Sequence, residues 1–165
     1  MTVMPTAADD FQVLERTPDY IISTWRYVMF LAWRGRETVD GILRSRSLME
    51  HWASNRRGGV ILVILMPHEA LQRPPSEEAR KAMEDTSKDA LPSFKGIAII
   101  GKQTGFIAAA IRSVMTARQM FMRSLVPFKM FSSAAEAAPW IAQCLGLQIA
   151  LQSELSDAAE KASWK

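Results

Sequence analysis

A chain of 165 residues, 48% of them hydrophobic, is long enough to bury a core without disulfides or a structural metal. One cysteine, Cys144, excludes an internal disulfide framework and a cysteine-based zinc cluster, and two histidines, His51 and His68, leave no histidine-rich metal site. The 20 basic residues against 17 acidic ones, a net charge of +3, fall below the balance of a dedicated nucleic-acid binder, so no nucleic-acid partner is expected.

Residues Met1 to Asp10 read as a flexible lead-in without the basic and apolar regions of a signal peptide. No run of about 18 apolar residues is present, so the expectation is a cytoplasmic protein with no membrane insertion. Phe11 to Arg16 alternates apolar and polar, as a half-buried edge strand does. Thr17-Pro18-Asp19 reads as a turn. Tyr20 to Trp33 carries a long strand signal. It divides either into Tyr20–Trp25 and Tyr27–Trp33 around Arg26 or into one long or bulged strand, since no Gly, Asn or Pro marks a tight turn.

Val39, Ile42, Leu43, Met49, Trp52 and Ala53 then recur at helical spacing. Arg56, Arg57, Gly58 and Gly59 close that helix with cations in the last turn and glycines beyond. Arg34, Arg36, Arg44, Arg46, Arg56 and Arg57 frame it, either as a solvated face or as a patch for an anion or acidic partner. Val60 to Met66 is seven apolar residues in a row, the pattern of a strand covered on both faces of a parallel sheet. A loop from Pro67 to Pro75 follows, at the strand end where ligands and partners of open α/β sheets usually sit.

Ser76 to Leu91 predicts a second helix with a thin stripe of Ala79, Ala82, Met83, Thr86 and Ala90, stopped by Pro92. Gly96 to Gly101 is a short buried strand and Lys102 to Gly105 a polar turn. A long third helix is predicted from about Phe106 to Leu125. Phe128 to Phe131 is a last strand. Ser132-Ser133 then caps a helix in which Glu136 completes a capping box, and Gly146 ends it. Leu147 to Lys165 reads as a helical tail that fades into Ala, Asp, Glu and Lys. The predicted order is β-β-α-β-α-β-α-β-α: one α/β domain over 11–146, with a mostly parallel four- to five-stranded sheet, an antiparallel edge strand and helices packed on it.

This order, closed by Lys129-Met130-Phe131-Ser132-Ser133-Ala134-Ala135-Glu136-Ala137, resembles the STAS family, the fold of bacterial anti-sigma-factor antagonists of the SpoIIAA type. The resemblance implies a non-enzymatic signalling or protein-binding module, partnered by a kinase-like or other signalling regulator. The family's regulatory serine follows an aspartate in a glycine-containing turn after the strand equivalent to 60–66. Here no Asp-Ser-Ser-Gly is present, and the nearest serine, Ser76, follows Pro75 as a helix cap beside Glu77 and Glu78. The fold also overlaps that of SEC14-type lipid-exchange domains. That similarity implies as alternative a small-molecule or lipid carrier with a pocket between the third helix and the sheet, lined by Trp25, Met29, Phe30, Trp33, Met115, Met120, Phe121 and Met122.

Catalytic chemistry finds little support. His68 and Glu69 form an acid–base pair at a strand end but lack a third orienting group, and Cys144 has no histidine near it in sequence. Gly101-Lys102-Gln103-Thr104-Gly105 lacks the P-loop spacing, though Lys102, Thr104 and Arg112 surround a helix start able to hold an anion weakly. The reading is therefore of an interaction module rather than an enzyme, without cofactor or metal. Its candidate partner or ligand surface is His68, Glu69, Arg73, Ser76, Lys102, Thr104, Arg112, Met115, Phe121 and Met122. Ile111, Met115, Phe121 and Met122 exceed one narrow apolar stripe on the third helix, which favours a homodimer through it.

Overall fold

The computed structural model of the chain describes residues 11–56, 58–67, 75–101, 126–147 and 152–164. Six strands form one mixed sheet: β1 (Gln12–Arg16), β2 (Tyr20–Trp25), β3 (Val28–Trp33), β4 (Ile61–Leu65), β5 (Gly96–Ile100) and β6 (Phe128–Phe131). They lie side by side in chain order, β1 to β3 antiparallel and β3 to β6 parallel. The described helices are α1 (Val39–Ser54), α2 (Glu77–Ala90), α3 (Ala134–Leu145) and α4 (Gln152–Ala162). A short 3-10 turn at Leu91–Ser93 follows α2, where Pro92 cannot extend the helix. The predicted lead-in Met1–Asp10 and the predicted third helix Phe106–Leu125 lie outside the described residues.

The sheet has six strands rather than four or five, and its antiparallel part is three strands rather than a single edge. The reason is a two-residue turn at Arg26–Tyr27: Trp25 pairs directly with Val28 and Tyr20 with Trp33. Arg26 takes φ 51°, a backbone region normally left to Gly or Asn, so no residue type announced the turn. Its guanidinium is held by Glu154 at 2.8 Å and lies 4.7 Å from the Trp25 ring centre, while its carbonyl accepts from Arg56 Nη1 at 3.3 Å. Of the two readings of Tyr20–Trp33, the division around Arg26 is the one observed, and an irregularity lies in β1, where the pairing shifts between Val13 and Glu15.

Alternation along the strands divides the core into two layers. One face carries Tyr20, Ile22, Met29, Leu31, Trp33 and Leu62 under α1 and α2. The other carries Val28, Phe30, Ile61 and Val63 under α3 and α4. α1 starts at Thr38, whose hydroxyl accepts the Gly41 N–H at 3.1 Å and donates to Asp19 at 3.2 Å. Its buried face includes Ile42, Met49, Trp52 and Ala53 as expected, but Gly41 and Ser45 replace Leu43, which is 49% exposed. Gly41 lets the helix approach Trp33: a Cβ there would lie 2.9 Å from the indole and 2.8 Å from Thr38 Oγ1.

The predicted α2 stripe is buried at Ala79, Ala82, Thr86 and Ala90, with Met83 partly buried. Small side chains bring this helix close to α1, and Arg46 of α1 ties the two helices together by bridging Glu50 and Asp89. α3 has the predicted box in a displaced form: Ser133 Oγ accepts from Glu136 N at 3.2 Å, while Glu136 Oε2 accepts from the N–H of Ser132, one residue before the cap, at 3.1 Å. It ends at Gly146 in the left-handed region, φ 68°.

The C-terminal tail does not fade. Leu155, Ala158, Ala159 and Ala162 of α4 are buried against the second face of the sheet and α3. Beyond α4, Trp164 donates its indole N–H to the Ala32 carbonyl at 3.1 Å, with Arg16 and Arg34 5.7 and 5.4 Å from its ring centre.

Two variants test this packing. Gly41→Ala gains about 1 kcal/mol of helix propensity but forces Trp33 and Thr38 aside, so a net loss of about 1–2 kcal/mol is expected in urea denaturation. Trp164→Ala removes one hydrogen bond and two cation–π contacts, roughly 2 kcal/mol together. Amide exchange in α4 should then quicken by about thirtyfold while β3 and β4 keep their protection.

Candidate functional site

Parallel strands β3 to β6 place their carboxyl ends together, the usual location of an α/β site. The ladder continues to that end: Met66 N–H donates to Ile100 O at 3.0 Å and Gly101 N–H to Phe131 O at 3.1 Å. Ser76 lies here, at the start of α2, where its hydroxyl accepts the Ala79 N–H at 3.1 Å and its carbonyl accepts the Arg80 N–H at 2.9 Å. It is a helix cap, as predicted, with Glu77 and Glu78 in the first turn. His68, Glu69, Arg73, Lys102, Thr104, Arg112, Met115, Phe121 and Met122 lie outside the described residues, so among the candidates the structure places Ser76 alone. At the β3 end the surface is covered by the chain itself, through Trp164.

Trp25, Met29, Phe30 and Trp33, expected to line one pocket, do not share a surface. Met29 and Trp33 belong to the layer under α1 and α2, and Phe30 and Trp25 to the layer under α3 and α4. Successive strand residues point to opposite faces, so Met29 and Phe30 cannot meet one ligand. Cys144 is half-buried, and burial pushes its thiol above its ordinary value; it packs near Gly96, where an added Cβ would lie 3.4 Å from Sγ. Among the described residues no group of three or more His, Cys, Asp or Glu side chains is placed to hold a metal.

The sheet edge at β1 is different in character. Val13 is 47% exposed, Leu14 38% and Leu43 49%; these are the exposed large hydrophobics among the described residues. Arg44, next to Leu43, reaches Glu15, next to Leu14, at 2.8 Å, which sets the start of α1 beside the β1 irregularity, whereas Val13, paired with Ser23, lies on the opposite face of the sheet. β1 pairs with β2 on one side, and among the described residues no strand pairs with its other side. Such an edge offers free backbone donors and acceptors beside apolar side chains.

Tyr20 fixes Glu15 from within the core. Its ring packs edge-on to Trp33, with centroids 5.5 Å apart, and its hydroxyl donates to Glu15 Oε2 at 2.5 Å. The Tyr20 hydrogen bond, then the Arg44 guanidinium, hold the Glu15 carboxyl below its ordinary 4.5. Burial, then Glu15, pushes the Tyr20 phenol above its ordinary 10.

The basic residues around α1 mostly have structural duties. Arg44 binds Glu15, Arg46 binds Glu50 and Asp89, and Arg34 stacks on Trp164. Arg57 lies outside the described residues. Arg56 stacks on Trp52, 4.3 Å from the ring centre, and with Tyr27, His51 and Asn55 lines an open cleft of about 450 Å³ at the amino end of the parallel strands. Sequence reasoning noted His51 and Arg56 but not Tyr27, which the hairpin turn brings to them from a distant part of the chain.

No protein-family model matches the chain, and none of the curated proteins matches it.

The signs of the two pKa displacements set a pH dependence. Glu15 lies below its unfolded value, so its contribution is complete above pH 4.5 and is lost as pH falls through its folded value. Tyr20 lies above its unfolded value, so its contribution is complete below pH 10 and is lost as pH rises further. Tyr20→Phe should cost about 1–2 kcal/mol at pH 7 by urea denaturation, with the gap to the parent chain narrowing as pH falls below 4.5 and Glu15 protonates. NMR titration of Glu15 should show its carboxyl moving back toward 4.5 in the variant.

Proposed function

We propose that the chain is a non-enzymatic regulatory or protein-interaction module, of the kind its resemblance to the STAS family implies, that receives its partner along the β1 edge. The observation that carries this is the exposure of Val13 and Leu14 along β1, whose outer side pairs with no strand among the described residues. An extended partner segment added to β1 gains main-chain hydrogen bonds and the exposed parts of Val13 and Leu14. Burying those parts supplies about 2–3 kcal/mol, which suits a transient signalling contact more than an obligate one.

Sequential strand order with helices on both faces accords with the STAS reading, as with many folds of other function. Ser76, engaged as a cap, supports a module without the family's phosphorylated serine. A phosphate there would lose the cap bond and face Glu77 and Glu78. The partner in this reading is a kinase-like or other signalling regulator.

Leu14→Arg places a bulky charge on the edge strand at a site already exposed, so the fold should melt within a few degrees of the parent. The expected result is a protein partner, identified by mass spectrometry after copurification from the source cells, that the parent retains and Leu14→Arg loses. Equal recovery of that partner by both chains would overturn the edge as its docking site.

A further inference from the structure

The cleft at the amino end of the parallel strands has a composition that the interaction reading does not use. Tyr27 comes from the β2–β3 turn, and His51, Trp52, Asn55 and Arg56 from the end of α1 and the residues after it. Arg56 has a single described acceptor, the Arg26 carbonyl. It stacks on Trp52 and lines the opening, and its remaining N–H groups have no acceptor among the described residues. The His51 ring and the Tyr27 hydroxyl likewise have no hydrogen-bond partner among the described residues.

Two of the terminal carbonyls of α1 are already bonded. The His51 carbonyl accepts from Asn55 Nδ2 at 2.9 Å and Ser54 Oγ at 3.1 Å, and the Ala53 carbonyl accepts the Asn55 and Arg56 N–H groups. The nearby carboxylates are neutralised too, Glu50 by Arg46 and Glu154 by Arg26. What faces the cleft is therefore a net supply of donors: a guanidinium fork, an imidazole and a phenol. Arg26, at φ 51° in the hairpin turn, presents the carbonyl that fixes Arg56.

We propose that this cleft binds a small organic anion in which a phosphate is joined to a planar ring, as in a nucleoside monophosphate. Three separate donors suit a phosphate, which offers three oxygens, better than a carboxylate, which offers two. A guanidinium stacked on tryptophan by one face accepts a second flat ring on the other. A volume of about 450 Å³ falls in the range of small-molecule sites, and its openness to solvent implies a modest affinity. This inference does not depend on the β1 edge.

The test uses the full chain, with AMP, inorganic phosphate and benzoate as probes, followed by NMR of the His51 and Tyr27 rings. AMP should bind saturably at millimolar concentration or below, and phosphate and benzoate should each bind roughly tenfold more weakly. Arg56→Gln and His51→Gln should each weaken AMP by about tenfold, while Arg80→Gln, on the exposed face of α2, leaves it unchanged. His51 is exposed and makes no described side-chain contact, so His51→Gln remains informative even where Arg56→Gln loosens the hairpin. Absence of a saturable response to AMP at about 10 mM, or AMP affinity unaltered in both cleft variants, would overturn the proposal. Benzoate binding as tightly as AMP would overturn the phosphate in favour of a ring carboxylate.

Discussion

The constraint on which this structure depends is the burial of β3 on both faces. Every residue from Val28 to Trp33 is buried, with Val28 and Phe30 on one side and Met29, Leu31 and Trp33 on the other. At about 1.5–3 kcal/mol for each large apolar side chain, leaving either face open would forfeit several kcal/mol, a large part of a domain's net stability. The chain must therefore supply a helical layer to each side. α1 and α2 follow from crossovers between neighbouring parallel strands, and both lie on the first face. Among the described helices, the second face is covered by α3 and α4, which both follow the last strand.

That division gives meaning to the small residues in the helices. Ala79, Ala82 and Ala90 on one side and Ala137, Ala138, Ala158, Ala159 and Ala162 on the other contribute little apolar area each. They allow close approach, so the area they cover on the strands exceeds what they bury of their own. The stabilisation comes from the sheet's large side chains. A helix of small residues serves as a lid for them, and Trp164 fastens the end of the last such lid to the strand it covers.

Features set by local chemistry were legible in the amino-acid sequence. The capping box at Ser133 and Glu136, the αL glycine at 146 and the Ser76 cap depend on residues a few positions apart, and each stands where its pattern places it. The long apolar run centred on β4 announced a strand covered twice over for the same reason. What escaped depends on distant partners. The two-residue hairpin requires a glycine-like φ at Arg26, and the side chain and carbonyl there are engaged by Glu154 and Arg56 from far along the chain, contacts that nothing in the Trp25-Arg26-Tyr27 tripeptide signals. Leu43 fits the helical period but misses the core because Gly41, two positions earlier, holds α1 against Trp33. The tail looked polar and alanine-rich, and its burial follows only from a vacant sheet face. The candidate surface drew on strand-end loops, of which the structure places Ser76, whereas the cleft needs a hairpin turn to bring Tyr27 to His51 and Arg56.

The two ends of the parallel strands are thus unequal. At the carboxyl end of β3, where an open α/β sheet ordinarily receives its ligand, Arg16 and Arg34 flank Trp164 of the same chain. At the amino end, Arg56 flanks Trp52 in the same cation–π manner, and among the described residues it lines an open cleft. One arrangement of arginine on tryptophan therefore serves as closure at one end and as a receptive surface at the other. The difference lies in what α4 reaches: it carries Trp164 to the first end, and at the second its Glu154 binds Arg26 and stops short of the cleft.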